Sequence, residues 1–127
     1  MSIKYKTTAR KNLQKPADPA RYYAIATASG KTDIDKLSRL IANNSTVSRT
    51  DVYAVIMGLL ETVAEELADG NTVSLGKLGT FTVNLKSDSA ETADAVTAAT
   101  IKGAKIVYRP GAELKNMLKT LKFEKKA

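Results

Sequence analysis

The sequence predicts an α+β fold: two leading strands, two helices, a three-stranded antiparallel sheet with a long excursion, and a last helix. Three observations predict it. Apolar residues alternate with polar ones in the leading and later segments, but recur at three-to-four-residue spacing between them, and these are the periods of strand and helix. Capping residues stand before both central helical stretches. Gly, Pro and Asn punctuate the chain where the period changes.

Residues 3–8 (IKYKTT) alternate and read as a strand. Residues 9–20 hold Pro16 and Pro19 and read as a loop. Residues 21–27 (RYYAIAT) form a second strand, which can pair with the first as a long-looped hairpin. Thr32 with Asp35 fits a capping box, and Ile34, Leu37, Leu40 and Ile41 give the first helix until Asn43 and Asn44 stop it. Ser48 with Asp51 repeats the cap. Behind it Val52, Val55, Ile56, Leu59, Leu60, Val63 and Leu67 form a stripe that Tyr53 and Met57 widen, ending at Asp69-Gly70. A stripe this broad asks to be buried on more than one side, as in a dimer core. Residues 73–75 and 80–85 read as strands around a Gly76–Gly79 turn. Residues 86–104 are rich in Ala, Thr and Ser and read as an excursion, with a helical turn near 91–96. Residues 105–108 (KIVY) are a strand, and Pro110 suits the start of a helix, where its missing N–H costs nothing. Leu114, Met117, Leu118 and Leu121 form that helix's apolar face, opposite Lys115, Lys119 and Lys122.

Composition narrows the function. The chain has 127 residues, 43% of them hydrophobic, with no Cys and no His. It suits one thin core, shared most easily with a second subunit. Disulfide and thiolate chemistry are excluded, and the commonest metal ligand and general base are missing. The carboxylate pairs, Glu65-Glu66 and Asp33 with Asp35, do not converge on a substrate, so no catalytic residue, metal or cofactor is assigned and the chain reads as a non-enzyme. The apolar run Tyr53–Leu60 is too short to span a bilayer, and the N-terminus has no signal-peptide core. The expectation is a cytoplasmic protein without a membrane partner.

Formal charge is +7 and lies at the ends. Residues 1–31 carry seven Lys/Arg against one Asp, and residues 105–127 seven against two, while 32–70 carry three against seven. Such an excess attracts phosphate polyanions, although Lys-rich ends also serve solubility.

From Thr32 onward the element order, together with the strings at Ser48–Asp51, Val73–Phe81 and Tyr108–Lys115, resembles the HU and integration host factor family of bacterial histone-like proteins. Val73-Ser74-Leu75-Gly76-Lys77-Leu78-Gly79-Thr80-Phe81 resembles that family's LxGFGTF segment. Tyr108-Arg109-Pro110-Gly111, followed by Glu113-Leu114-Lys115, resembles the FRPG…LK entry to its last helix, and Ser48-Arg49-Thr50-Asp51 its LSKxxA turn. Residues 1–31 resemble the lead segment of an HU-related subgroup that also ends in a KFEK-like tail, here Lys122–Lys125. The resemblance implies an HU-like domain over 32–127, an N-terminal β extension over 1–31, and a homodimer with an intertwined helical base. It also implies an arm that holds double-stranded DNA in the nucleoid with weak sequence specificity.

The residues that the resemblance points to are Lys77 and Gly79 in the turn, Lys86 and Lys102 in the arm, and Arg109, Gly111 and Lys115 at the entry to the last helix. A Gly-bearing turn leaves N–H groups open to phosphate, and a helix N-terminus favours an anion. Gly79 equally supplies a turn conformation, and Lys115 equally fits a solvated helix face. Phe81 and Tyr108 read as packing. Tyr5, Tyr22 and Tyr23, interleaved with Lys4, Lys6 and Arg21, fit a stacking surface or pairing of the extension onto the main sheet. Residues 86–104 depart from the family's GRNP tip: they hold no Pro and no Arg, and Lys86 and Lys102 face Asp88, Glu91 and Asp94. The sequence therefore supports a dimer that binds DNA through its backbone. The alternative is an HU-derived protein–protein interaction module.

Overall fold

The computed structural model describes residues 1–126. The leading hairpin forms as the alternation predicts: β1 (Ile3–Arg10) pairs antiparallel with β2 (Arg21–Thr27), Lys4 opposite Thr27 and Arg10 opposite Arg21. The third strand of this sheet was not visible in the sequence. β6 (Phe123–Lys125) runs parallel to β1, with Ile3 opposite Phe123, in the order β2-β1-β6. The extension thus pairs with the chain's own tail, not with the main sheet as expected. The Ile3 and Lys126 N–H groups donate across this seam to the carbonyls of Lys122 and Tyr5, which satisfies an edge that β1 would otherwise leave open.

Helix α1 (Ile34–Asn43) starts one residue later than the Thr32 box predicts. Asp33 is the cap, its carboxylate accepting from the Lys36 N–H at 2.9 Å. Asp is as good a cap as Thr and stands directly before the first apolar residue. Helix α2 (Arg49–Ala68) is capped by Ser48, whose hydroxyl accepts from the Asp51 N–H, and stops at Gly70 with φ +87°. The two helices pack on each other around Ser38, which is fully buried and donates to the Ile34 carbonyl at 2.8 Å.

Core in a single chain is scant. Val52 and Leu67 are its buried hydrophobic residues, while Val55 and Leu60 on α2 stay 69% and 61% exposed, and Leu37, Leu40 and Ile41 on α1 are exposed as well. Apolar residues cover most of the circumference of α2, as the wide stripe predicts, leaving one strip to Asp51, Glu61 and Glu65.

The second sheet follows, in the order β3-β4-β5. β3 (Val73–Ser74) and β4 (Gly79–Ser87) flank a single 3₁₀ turn at Gly76–Leu78, and β5 (Ile101–Pro110) returns antiparallel along β4. The strands run further into segment 86–104 than its composition predicts, leaving 88–100 as the tip. Two short 3₁₀ turns, Ala93–Ala95 and Ala98–Thr100, shape it. Cross-strand pairing extends the hairpin where residue-by-residue propensity is weak.

Helix α3 (Ala112–Lys119) is capped by Gly111, and Pro110 ends β5 instead of starting the helix. The Gly111 N–H is drawn to the Leu78 carbonyl at 3.3 Å, which holds that residue extended, at ψ 178°. On the expected apolar face Leu114 is half-buried, Met117 and Leu118 are exposed, and Leu121 lies beyond the helix end. Among the described residues no helix is long and apolar enough to cross a membrane.

Candidate functional site

The β4–β5 ribbon has two unlike faces, fixed by its register. Residues directly opposite in an antiparallel pair share a face. One face takes Phe81 with Tyr108, Val83 with Ile106 and Leu85 with Ala104. It is apolar, and Leu85 and Ile106 are 61% and 65% exposed on it. The other takes Thr80 with Arg109, Thr82 with Val107, Asn84 with Lys105 and Lys86 with Gly103. It is polar and holds three exposed cations, Lys86, Lys105 and Arg109, spread over roughly 20 Å at the usual rise per strand residue.

Of the residues singled out in the sequence, Lys86 and Arg109 are therefore brought onto one face. Lys105 joins them and was missed. The signal was present: Lys105, Val107 and Arg109 are spaced by two, so the strand that places Arg109 places Lys105 beside it. Lys102 sits apart. It is the extra residue at a bulge, where Lys86 faces Gly103 and Ser87 faces Ile101, and its ammonium pairs with Asp88 at 3.0 Å.

Lys77, Gly79 and Gly111 meet at the other end of the ribbon. The Leu78 carbonyl accepts from the Tyr108 hydroxyl at 2.6 Å and from the Gly111 N–H, which ties the 3₁₀ turn to the strand and to the helix entry. Tyr108 also packs on Phe81 with ring centroids 5.0 Å apart. Both glycines are needed for the close approach. A Cβ on Gly79, whose φ is +135°, would meet the Arg109 carbonyl oxygen and lie 2.7 Å from the Tyr108 ring. One on Gly111 would run into the Lys77 carbonyl group, 2.6 Å from its carbon. The N–H groups of Gly79 and Gly111 are both spent inside this knot, on the carbonyls of Gly76 and Leu78. Neither is open to an outside anion.

Charge at the helix entry is balanced too. Glu113, in the first turn of α3, lies 3.5 Å from the Lys77 ammonium. Both groups are well exposed, so the pair adds little stability, but its acid already occupies the position favoured by the helix dipole. Lys115, two residues on, is exposed, and its N–H closes the first helical bond to Gly111.

At the tip, Asp88, Glu91 and Asp94 dominate the charge. The tip is held by its own backbone: the Asp88 N–H donates to Thr100, and the Thr97 N–H donates to the Thr100 hydroxyl. The described residues contain no group of carboxylates able to hold a metal ion.

The chain matches, over residues 1–125, the family described as HU-HIG, an HU domain fused to a winged helix-turn-helix (wHTH), Ig or glycine-rich motif. No curated protein matches it. Among solved structures it is similar to one from Bacteroides vulgatus described as a "Putative bacterial DNA binding protein", with a TM-score of 0.66 at 20% identity. The match covers 98% of this chain and 49% of that one, so the chain spans about half the length of that neighbour. The likeness is one of fold, the α+β arrangement built above.

Proposed function

Because the chain belongs to the HU-HIG family of HU-related domains, we propose that it is a histone-like DNA-binding protein that works as an architectural element and not as an enzyme. The observation that carries this is the polar face of the β4–β5 ribbon. Lys86, Lys105 and Arg109 line it with no acid partner among the described ion pairs. Cations spaced along a strand ribbon neutralise phosphates without reading base edges, so binding is weakly sequence-specific. The tip has no Pro or Arg and carries three acids, so the duplex is held by its backbone and is not wedged open between bases.

The working unit is a homodimer. Two buried hydrophobic residues among those described are too few for a stable domain, and burying a side chain such as Val55 or Leu60 contributes about 1.5–3 kcal/mol. A second copy presenting the same open helices α1 and α2 and the same apolar ribbon face completes the core. Cytoplasmic placement in the nucleoid follows from a DNA partner.

Fluorescence anisotropy of a 30-base-pair duplex across a salt series tests the reading. Three cations from each of two subunits give a slope of log affinity against log salt of at least about −5. The triple variant Lys86→Gln, Lys105→Gln, Arg109→Gln should make the slope shallower by about 5, the share of those six cations. A slope unchanged in the triple variant refutes the ribbon as the contact face.

A further inference from the structure

We propose that the leading hairpin is a second contact for duplex DNA, a basic ribbon whose loop grips the phosphate backbone away from the β4–β5 face. The inference rests on the DNA-binding reading above and adds a site to it.

The alternation of β1 sorts its residues by chemistry. Lys4, Lys6, Thr8 and Arg10 fall on one face, joined from β2 by Arg21, Tyr23 and Ile25. The opposite face takes Ile3, Tyr5, Ala9, Tyr22, Ala24 and Ala26. Lys4 is matched by Glu124 at 2.5 Å, where β6 covers the base of the hairpin. Among the described ion pairs none involves Lys6, Arg10, Lys11, Lys15 or Arg21.

At the loop four of these cations converge on a cleft of about 710 Å³, lined by Arg10, Lys11, Lys15, Arg21 and Tyr23, with Asp18 its one acid. The loop that builds it is shaped by local bonds. Lys15 N–H donates to the Asn12 carbonyl, Asp18 N–H to the Lys15 carbonyl, and Gln14 N–H to the Asn12 side chain. Pro16 and Pro19 restrict it further.

One contact runs against the stability of the hairpin. Arg10 and Arg21 stand directly opposite each other, and like charges in that position repel. The Arg10 guanidinium rests over the Tyr23 ring, 5.7 Å from its centroid, which absorbs part of that cost. A bound phosphate removes the rest. Four cations against one acid suit an anion, and the length of the array selects among anions. From Lys6 to Arg10 alone the stripe spans roughly 14 Å, which suits a linear polyanion over a single small ion.

The test is the same anisotropy series with two hairpin variants. Lys11→Gln/Lys15→Gln changes loop side chains that take no part in the strand ladder. Arg10→Gln/Arg21→Gln changes the facing pair. In a dimer each should make the salt slope shallower by about 2–4 and weaken binding roughly tenfold or more at 100 mM salt. An unchanged slope and affinity in the loop variant, with the unaltered chain binding normally, overturns the hairpin contact and leaves the ribbon reading standing. Loss of the entire slope in the Lys86/Lys105/Arg109 variant, leaving no share for the hairpin, does the same. Binding of phosphatidylserine vesicles that the loop variant abolishes, with its DNA slope unchanged, overturns it in favour of a lipid surface. No DNA binding by the unaltered chain overturns both readings.

Discussion

Replacing Gly111 with alanine perturbs the one place where strand, turn and helix of the ribbon sheet meet. The new methyl would run into the backbone carbonyl group of Lys77, 2.6 Å from its carbon, with the Gly76 carbonyl oxygen at 3.2 Å. Backbone cannot swing aside as the end of a side chain can, so the 3₁₀ turn and the α3 entry must separate. Overpacking of this kind costs typically 1–3 kcal/mol. Separation also stretches the 3.3 Å bond from the Gly111 N–H to Leu78, worth about 1 kcal/mol. The expected loss is therefore about 2–4 kcal/mol, a large share of the usual domain stability. Urea unfolding followed by circular dichroism reads it as a lower midpoint with an unchanged slope. Gly30 has open space around it, so Gly30→Ala serves as the control and should change stability by well under 1 kcal/mol. If Gly111→Ala also loses less than about 1 kcal/mol, the close approach of turn and helix is not what fixes that glycine.

Further outcomes are expected. Tyr108→Phe removes the 2.6 Å bond to the Leu78 carbonyl and keeps the ring on Phe81; a loss of about 0.5–1.5 kcal/mol in the same unfolding assay is expected. Val55→Asp with Leu59→Asp puts two carboxylates on exposed apolar positions of α2, and sedimentation should then show a monomer where the unaltered chain shows a dimer. Glu124 is held below the ordinary carboxylate range, first by its hydrogen bond from Lys4, then by one from Ser2 and by the Lys4 charge. A lowered carboxylate contributes stability that is present above its unfolded value and is lost as pH falls through the folded one. Amide exchange at Ile3 and Lys126, which donate across the β1–β6 seam, should accelerate as pH drops below about 4 after correction for the intrinsic rate. Glu124→Gln should remove that acid dependence.

Local signals announced most of the elements and little of their company. Both central helices could be read because Ser48, Asp69-Gly70 and the apolar spacing agree with one another. Arg21–Thr27 is a strand with the bounds read from the sequence. The start of α1 moved by one residue because Thr32 and Asp33 are both competent caps and Asp33 stands directly before the first apolar residue. β6 was hidden because three residues, Phe-Glu-Lys, carry no measurable period, and their strand exists only through the bonds that β1 offers. At the candidate site, Arg109 and Lys86 were visible as charges, but their shared face depends on register, which also brings in Lys105. The pairing of Lys77 with Glu113 and of Lys102 with Asp88 depends on three-dimensional proximity, and it withdraws two cations that composition alone counts as available.

The seam between β1 and β6 also sets an order of events in folding. Ser2 and Glu124, hydrogen-bonded across it, lie 122 positions apart. During synthesis the leading hairpin can close as soon as residue 27 emerges, but its third strand exists only once residues 123–125 have followed. Contacts this distant in sequence are slow to form. Throughout that wait β1 shows an unpaired edge, the kind of surface on which nascent chains join each other wrongly. Lys4 and Lys6 on that strand keep the edge charged in the interval, and like charge on neighbouring chains holds them away from the half-made sheet.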